Sequence, residues 1–351
     1  MSIVSPDGSR VVLDGPATLP VLVPHLLGFH PTASLVVIGL DASRSSVRIT
    51  CRVDLPKDSD SEPDWSPLIH ALTRSTCVGA LVIVYPAADQ ALHPLPAAGV
   101  VHSVVADLSS AGFIVRDALA ISGLKYRSYW CADQGCCPEE GNEPSSEHVL
   151  ELSAALVLEG SAPHSCRDEL ISALEPRAFE DEFCRELERK RSAIELRLPV
   201  LASERAALLA ELLNAAEPIG TSTLHRLIVL TATVCADVRS RDLFLFYLTR
   251  DPDTHSLIRT RTVLTEVVRS HRDHQRAAAA ACLAVISWVL GDGASARVAV
   301  EAAIKSDASC RLAVLVGMAL DNAEPPRMWT SLMNSISLSQ LVDSVDTPTE
   351  F

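Results

Sequence analysis

Apolar runs, apolar–polar alternation and helical spacing succeed one another along the first third of the chain. "SLVVIGL" (34–40) and "ALVIVY" (80–85) are apolar almost throughout, the pattern of central strands covered on both faces. "VRITCRV" (47–53) alternates Val47, Ile49, Cys51 and Val53 with polar neighbours, which predicts a strand with one face near solvent. Strand-like "RVVLDG" (10–15) precedes a helical "PATLPVLVPHLLGF" (16–29), and further helices are expected from Trp65 and over 97–111. "FIVRDALAI" (113–121) and "KYRSYW" (125–130) flank "SGL" and predict two paired strands. Such alternation specifies a three-layer α/β domain.

From residue 145 onward the spacing is helical and strand signals vanish. Ser165 with Asp168 predicts a capping-box-like start to "SCRDELISAL" (165–174), closed by Pro176. Residues 178–195 are highly charged and predict an exposed connecting helix ended by Pro199. Helices are then expected over 203–215, 221–237, 241–249, 254–270, 275–290, 294–305 and 309–320, with a short one after "EPP". Ala296, Val300, Ala303 and Ala308 follow the spacing of the second helix of a tetratricopeptide unit, a single match in an alanine-rich stretch. The expected organisation is an α/β domain over 1–145 ending in a cysteine loop and a helical connector over 146–200. An all-α domain of stacked helix pairs over 201–338 and a flexible tail over 339–351 complete it.

Composition supports two cores, since 351 residues exceed what one usually serves. With 48% hydrophobic but only 4% aromatic residues, those cores are built from Ala, Val, Leu and Ile. The net charge of -14 is shared: residues 1–150 carry nine Lys and Arg against sixteen Asp and Glu, and residues 151–351 carry twenty-one against twenty-eight. Neither part is a basic module, so neither nucleic acid nor an anionic membrane is an expected partner. The apolar run 277–290 is too short to span a bilayer and predicts a buried helix. "MSIVSPDGSRVVLDGP" lacks a basic and then apolar leader pattern, so a cytoplasmic location is expected.

The segments "PHLLGFHPTASLVVIGL" (24–40), "RVDLP" (52–56), "SYWCADQGCCPEEG" (128–141), "DVRSRD" (237–242) and "WVLGDGASARVAVEAAIKSD" (288–307) resemble, in order, the actinobacterial domain of unknown function 4192. The resemblance implies a bacterial cytoplasmic setting. It brings no activity, substrate or catalytic residue with it.

The one stretch that declares a chemistry is "YRSYWCADQGCCPEEG" (126–141). Of ten cysteines, seven are scattered singly, where a small apolar residue would serve; Cys131, Cys136 and Cys137 are grouped. Three readings stand. The trio ligates zinc with His148 or Asp133 as fourth ligand, the spacing being permissive but without a repeated C-x-x-C. Cys131 forms a redox couple with one of the later pair, against the grain of a reducing compartment. The cysteines are structural in a turn made by Asp133, Gly135 and Pro138, which the turn residues favour slightly over zinc.

His25 and His30 flank Gly28, where a helix stop explains them better than catalysis; His271 and His274 fit solvated caps better than a metal pair. Asp237, Arg239, Arg241 and Asp242 favour knitting of helices over capture of an anion. No phosphate-loop, dinucleotide, zinc-protease or nucleophile-elbow motif occurs. The expected function is therefore a non-catalytic interaction or scaffold protein that offers a helical face to a protein partner. The alternative is an enzyme or small-ligand sensor with a pocket at the end of the sheet, near the cysteine loop and His30.

Overall fold

The computed structural model describes residues 2–4, 10–12, 15–42, 46–56, 63–88, 90–158, 162–178, 181–215, 220–339 and 341–342. Most of the expected tail, 340 and 343–351, lies outside them. Strands β1 (Ser2–Val4) and β2 (Arg10–Val12) form a small antiparallel ribbon. The main sheet contains β3 (Ser34–Leu40), β4 (Val47–Asp54), β5 (Gly79–Tyr85), β6 (Ile114–Ser122) and β7 (Lys125–Ser128) in the order β4-β3-β5-β6-β7. Only β5 and β6 run parallel, as the helical crossover between them requires; every other pair is antiparallel.

The apolar runs occupy the centre. β3 and β5 are buried at every position, whereas the alternating β4 is an edge strand with none of its residues fully buried. Helices α2 (Ser66–Arg74) and α3 (Ala98–Ser110) cover one face, where Leu68, Leu72, Val101, Val104 and Leu108 meet Leu35, Val37, Val82 and Val84. Trp65 joins this core and donates its indole N–H to Ser103 Oγ at 3.1 Å. On the opposite face Val36, Ile38, Ile83 and Ile121 are equally buried, so both faces are covered, as their sequence predicts.

Helix α1 (Leu19–Leu27) precedes the sheet and ends at Gly28, whose φ of 75° is the left-handed stop expected there. After the sheet come α4 (Ser146–Leu158), α5 (Arg167–Ser172), α6 (Glu182–Glu195), α7 (Ala202–Asn214), α8 (Thr221–Ala236), α9 (Val238–Thr249) and α10 (Thr254–Ser270). Then follow α11 (Asp273–Val289), α12 (Gly293–Ser306), α13 (Arg311–Asp321) and α14 (Arg327–Ser335). The chain divides into two compact units, Met1–Glu169 with Asn322–Glu324, and Leu170–Asp321 with Pro325–Phe351.

Within the second unit α11 is the hub, contacting α8, α9, α10, α12, α13 and α14. Its alanines let neighbours close in on several sides: Ala279, Ala280, Ala281 and Ala284 have no exposed surface. Burial is thus centred on one helix as well as passed between sequential pairs. Ala296, Val300 and Ala303 of α12 are buried; Ala308 is exposed and lies beyond the helix end.

One local expectation is corrected. The start of α5 is not capped through Asp168: Glu169 accepts from the backbone N–H of Ser165 at 2.9 Å and from its hydroxyl, because the longer side chain reaches back one residue further. The helix also stops at Ser172, short of Pro176. The carbonyls that follow are claimed from α11 and the turn before it: Arg276 donates to Leu174 O at 2.8 Å, and Arg272 to Arg177 O.

Candidate metal centre

The cysteine loop hangs from β7, and the half-buried Asp117 and buried Ser128 hold its root. Asp117 of β6 accepts the Ser128 hydroxyl at 2.8 Å and the Ala118 N–H at 2.8 Å; burial pushes its carboxyl above the usual range, partly offset by those bonds. Ser128 Oγ in turn accepts the Trp130 N–H at 3.2 Å, and Tyr129 N–H donates to Ala118 O at 2.8 Å. The far end returns at Asn142, which pairs with Tyr126 in both directions, N–H to O at 2.8 and 2.9 Å. The loop is therefore closed at its base like a short hairpin.

Inside it, Asp133 turns the chain. Its carbonyl accepts the N–H of Cys136 at 3.1 Å and of Cys137 at 2.7 Å, and its Oδ1 accepts Gly135 N–H at 2.9 Å. Asn142 Nδ2 donates across the loop to Cys136 O at 2.7 Å. Gly141, at φ 83°, lets the return strand pass Leu92: a Cβ there would stand 2.8 Å from Leu92 Cδ1 and 3.2 Å from Tyr126 O.

These bonds bring the three sulfurs together. The Sγ atoms of Cys131, Cys136 and Cys137 lie within 4.8 Å of one another, the only such group of three His, Cys, Asp or Glu ligands among the described residues. Cys137 is buried, Cys131 half-buried and Cys136 exposed. Zinc–sulfur bonds of about 2.3 Å put sulfurs on a tetrahedral ion about 3.8 Å apart, so a closure of about 1 Å or less suffices.

The environments of Cys131 and Cys136 differ. The Cys131 thiol is held below its usual range by the Asp133 backbone N–H first, then by the Cys137 and Cys136 thiols. Cys136 is pushed up to about 11, first by its hydrogen bond to Cys131 and then by that neighbour's charge. Three thiols so placed cannot all ionise unless a cation offsets their repulsion. The Tyr126 phenol is raised by burial first and then by the charge of Cys137 and Cys136.

The Asp133 carboxylate and the His148 ring are not part of the sulfur group, although Asp133 belongs to the same loop. His148 sits on α4, its backbone N–H on Ser145 Oγ at 3.2 Å and its Nε2 buried with no hydrogen-bond partner among the described residues. His30 is exposed, with its N–H on His164 O at 2.9 Å. His271 is buried, Nδ1 3.1 Å from Val267 O. Asp237 caps α9 through Ser240, while Arg241 pairs with Asp242 at 2.7 Å. Tyr126, Asn142, Asp117 and Ser128 shape the centre, and no spacing in the sequence points to them.

A family model described as a domain of unknown function (DUF4192) matches residues 16–327. The chain belongs to the DUF4192 family. No curated protein and no solved structure shows significant similarity to it. The matched span takes in the whole five-stranded sheet, the cysteine loop and the helices through α13, so the sulfur group lies inside the DUF4192 domain. Among the described residues, no helix of this DUF4192 protein is long and apolar enough to cross a membrane.

Proposed function

We propose that this DUF4192 protein binds one thiophilic divalent cation, zinc by the chemistry of its donors, through Cys131, Cys136 and Cys137. The observation that supports the reading is the convergence of the three sulfurs on a loop braced at both ends. A purely structural role would need burial, yet Cys136 is exposed.

Closed structural zinc sites use four protein donors, and sites that work on a ligand use three. The trio has the donor count of the second kind, which favours a small-ligand sensor or enzyme over a closed knuckle. A shallow depression of about 480 Å³ adjoins the same loop through Glu139 and Glu140, with His93, Lys125 and Ser122; none of the three cysteines lines it.

Purification under reducing conditions, followed by elemental analysis, is expected to find zinc near one equivalent. Chelation should lower the melting temperature, and Cys131→Ser/Cys136→Ser/Cys137→Ser should abolish both the metal and the chelator effect. Metal-free protein, indifferent to chelator and added zinc, overturns the proposal.

A second reading, protein binding through a helical face, has its own support. Val314, Leu315 and Met318 of α13 and Leu332 of α14 are exposed, Leu315 at 62%. Leu315→Asp with Met318→Asp is expected to release a partner recovered with the native protein while leaving metal content unchanged; retention of that partner counts against this face.

A further inference from the structure

Oxidation of a thiol needs access from solvent, and its capture as a disulfide needs a second thiol close by. The cysteine loop has both. Cys136 is the one exposed cysteine of the ten, and Cys131 is half-buried beside Trp130, which is 52% exposed. Cys77, Cys235 and Cys282 are buried, where an oxidant in solution does not reach them.

The geometry limits which bridge forms. A disulfide sets its sulfurs about 2.05 Å apart, so from a spacing within 4.8 Å the closure is about 2.8 Å at most. Side-chain rotation of that size leaves the frame of the loop intact, since Asp133 O holds the N–H groups of Cys136 and Cys137 and Asn142 Nδ2 holds Cys136 O. Cys136 and Cys137 are adjacent, with Cα atoms about 3.8 Å apart, below the lower end of disulfide spacing at about 4.4 Å. Cys131 is therefore a partner in any undistorted bridge within the group.

We infer that Cys131 and one thiol of the Cys136–Cys137 pair form a reversible disulfide when a peroxide reaches the loop, and that this bridge expels the metal. The Cys131 thiolate attacks one peroxide oxygen; the S–O bond forms, the O–O bond breaks, and the leaving hydroxide takes up the proton the thiol had released. The second sulfur then displaces the sulfenic oxygen, which departs with that thiol's proton as water. Two thiols lose two electrons and the peroxide gains two. The single thiolate left is too few donors to hold zinc, and exchange with a thiol reductant restores the trio. Expulsion rests on the metal-binding proposal, whereas the bridge does not.

The test treats full-length reduced protein, metal-free and zinc-loaded, with one equivalent of hydrogen peroxide, then alkylates free thiols and maps them by mass spectrometry. A chromogenic chelator follows released zinc. The expected result is loss of two thiols in the metal-free protein, mapped to Cys131 and one of the later pair, with Cys77, Cys235 and Cys282 still reduced and all thiols recovered by dithiothreitol. The zinc-loaded protein should release its metal in step with the bridge, and metal-free Cys131→Ser should form no bridge. Oxidation elsewhere first, a bridge that persists in Cys131→Ser, irreversible oxidation of Cys131, or a bridged protein that keeps its zinc overturns the inference. Failure of the reduced protein to take up zinc defeats the metal proposal instead, while the metal-free protein still decides whether the bridge forms.

Discussion

Gly39 is where the sheet admits its covering helix. A Cβ there would stand 2.5 Å from Cys77 Sγ, 2.6 Å from Leu72 Cδ2 and 2.9 Å from Ile49 Cγ2. Gly39→Ala is expected to cost about 1–3 kcal/mol through overpacking, seen as a lower urea midpoint at unchanged slope. The neighbouring thiols predict alkaline weakening. Burial pushes Cys51 up to about 12 and Cys77 up to about 11 from 9.0. The folded protein thus holds these protons more tightly than the unfolded chain does. Their contribution is complete below about pH 8.5 and is lost as pH rises through the folded values. Urea midpoints should fall across that range, and Cys51→Val should flatten the fall. At the sulfur group acid is the adverse direction: a metal on Cys136 displaces its proton to solvent, so zinc affinity should drop about tenfold per pH unit for each proton displaced. The grouping of these cysteines is visible in the sequence. The opposite shifts of Cys131 and Cys136 are not, because they depend on which backbone N–H faces which sulfur.

Four helix starts in the second unit are capped by aspartate. Asp181, Asp237, Asp253 and Asp292 each accept a backbone N–H in the first turn of α6, α9, α10 and α12. Asp292→Ala, which frees Ser295 N–H from its 2.9 Å bond, is expected to cost about 1 kcal/mol and to lower the melting temperature. Boundaries marked by Asp, Gly or Pro were legible: the helix expected over 254–270 is observed as Thr254–Ser270. The α5 start was less so, since whether Asp168 or Glu169 caps it is a matter of side-chain reach. Its early end was hidden because the deciding donors, Arg272 and Arg276, lie about a hundred residues away in the chain.

On the scale of the molecule, charge remains the most direct guide to partners. With -14 overall and no basic excess in either part of the chain, the protein is expected to show no binding to duplex DNA or RNA at physiological salt. A salt-sensitive micromolar signal in fluorescence anisotropy would reveal a local basic surface. The sequence by itself determined the kinds and succession of most elements, the central place of β3 and β5 and the half-exposed face of β4, because apolar runs and periodicities are properties of adjacent residues. It also marked Cys131, Cys136 and Cys137. Only the tertiary structure decided the order β4-β3-β5-β6-β7, the position of α11 at the hub and the meeting of the three sulfurs. Strand neighbours and helix contacts are chosen by burial summed over the whole chain. A cysteine loop can adopt many shapes, and this one is selected by bonds from Asp133, Asn142, Tyr126 and Ser128 that no spacing rule encodes.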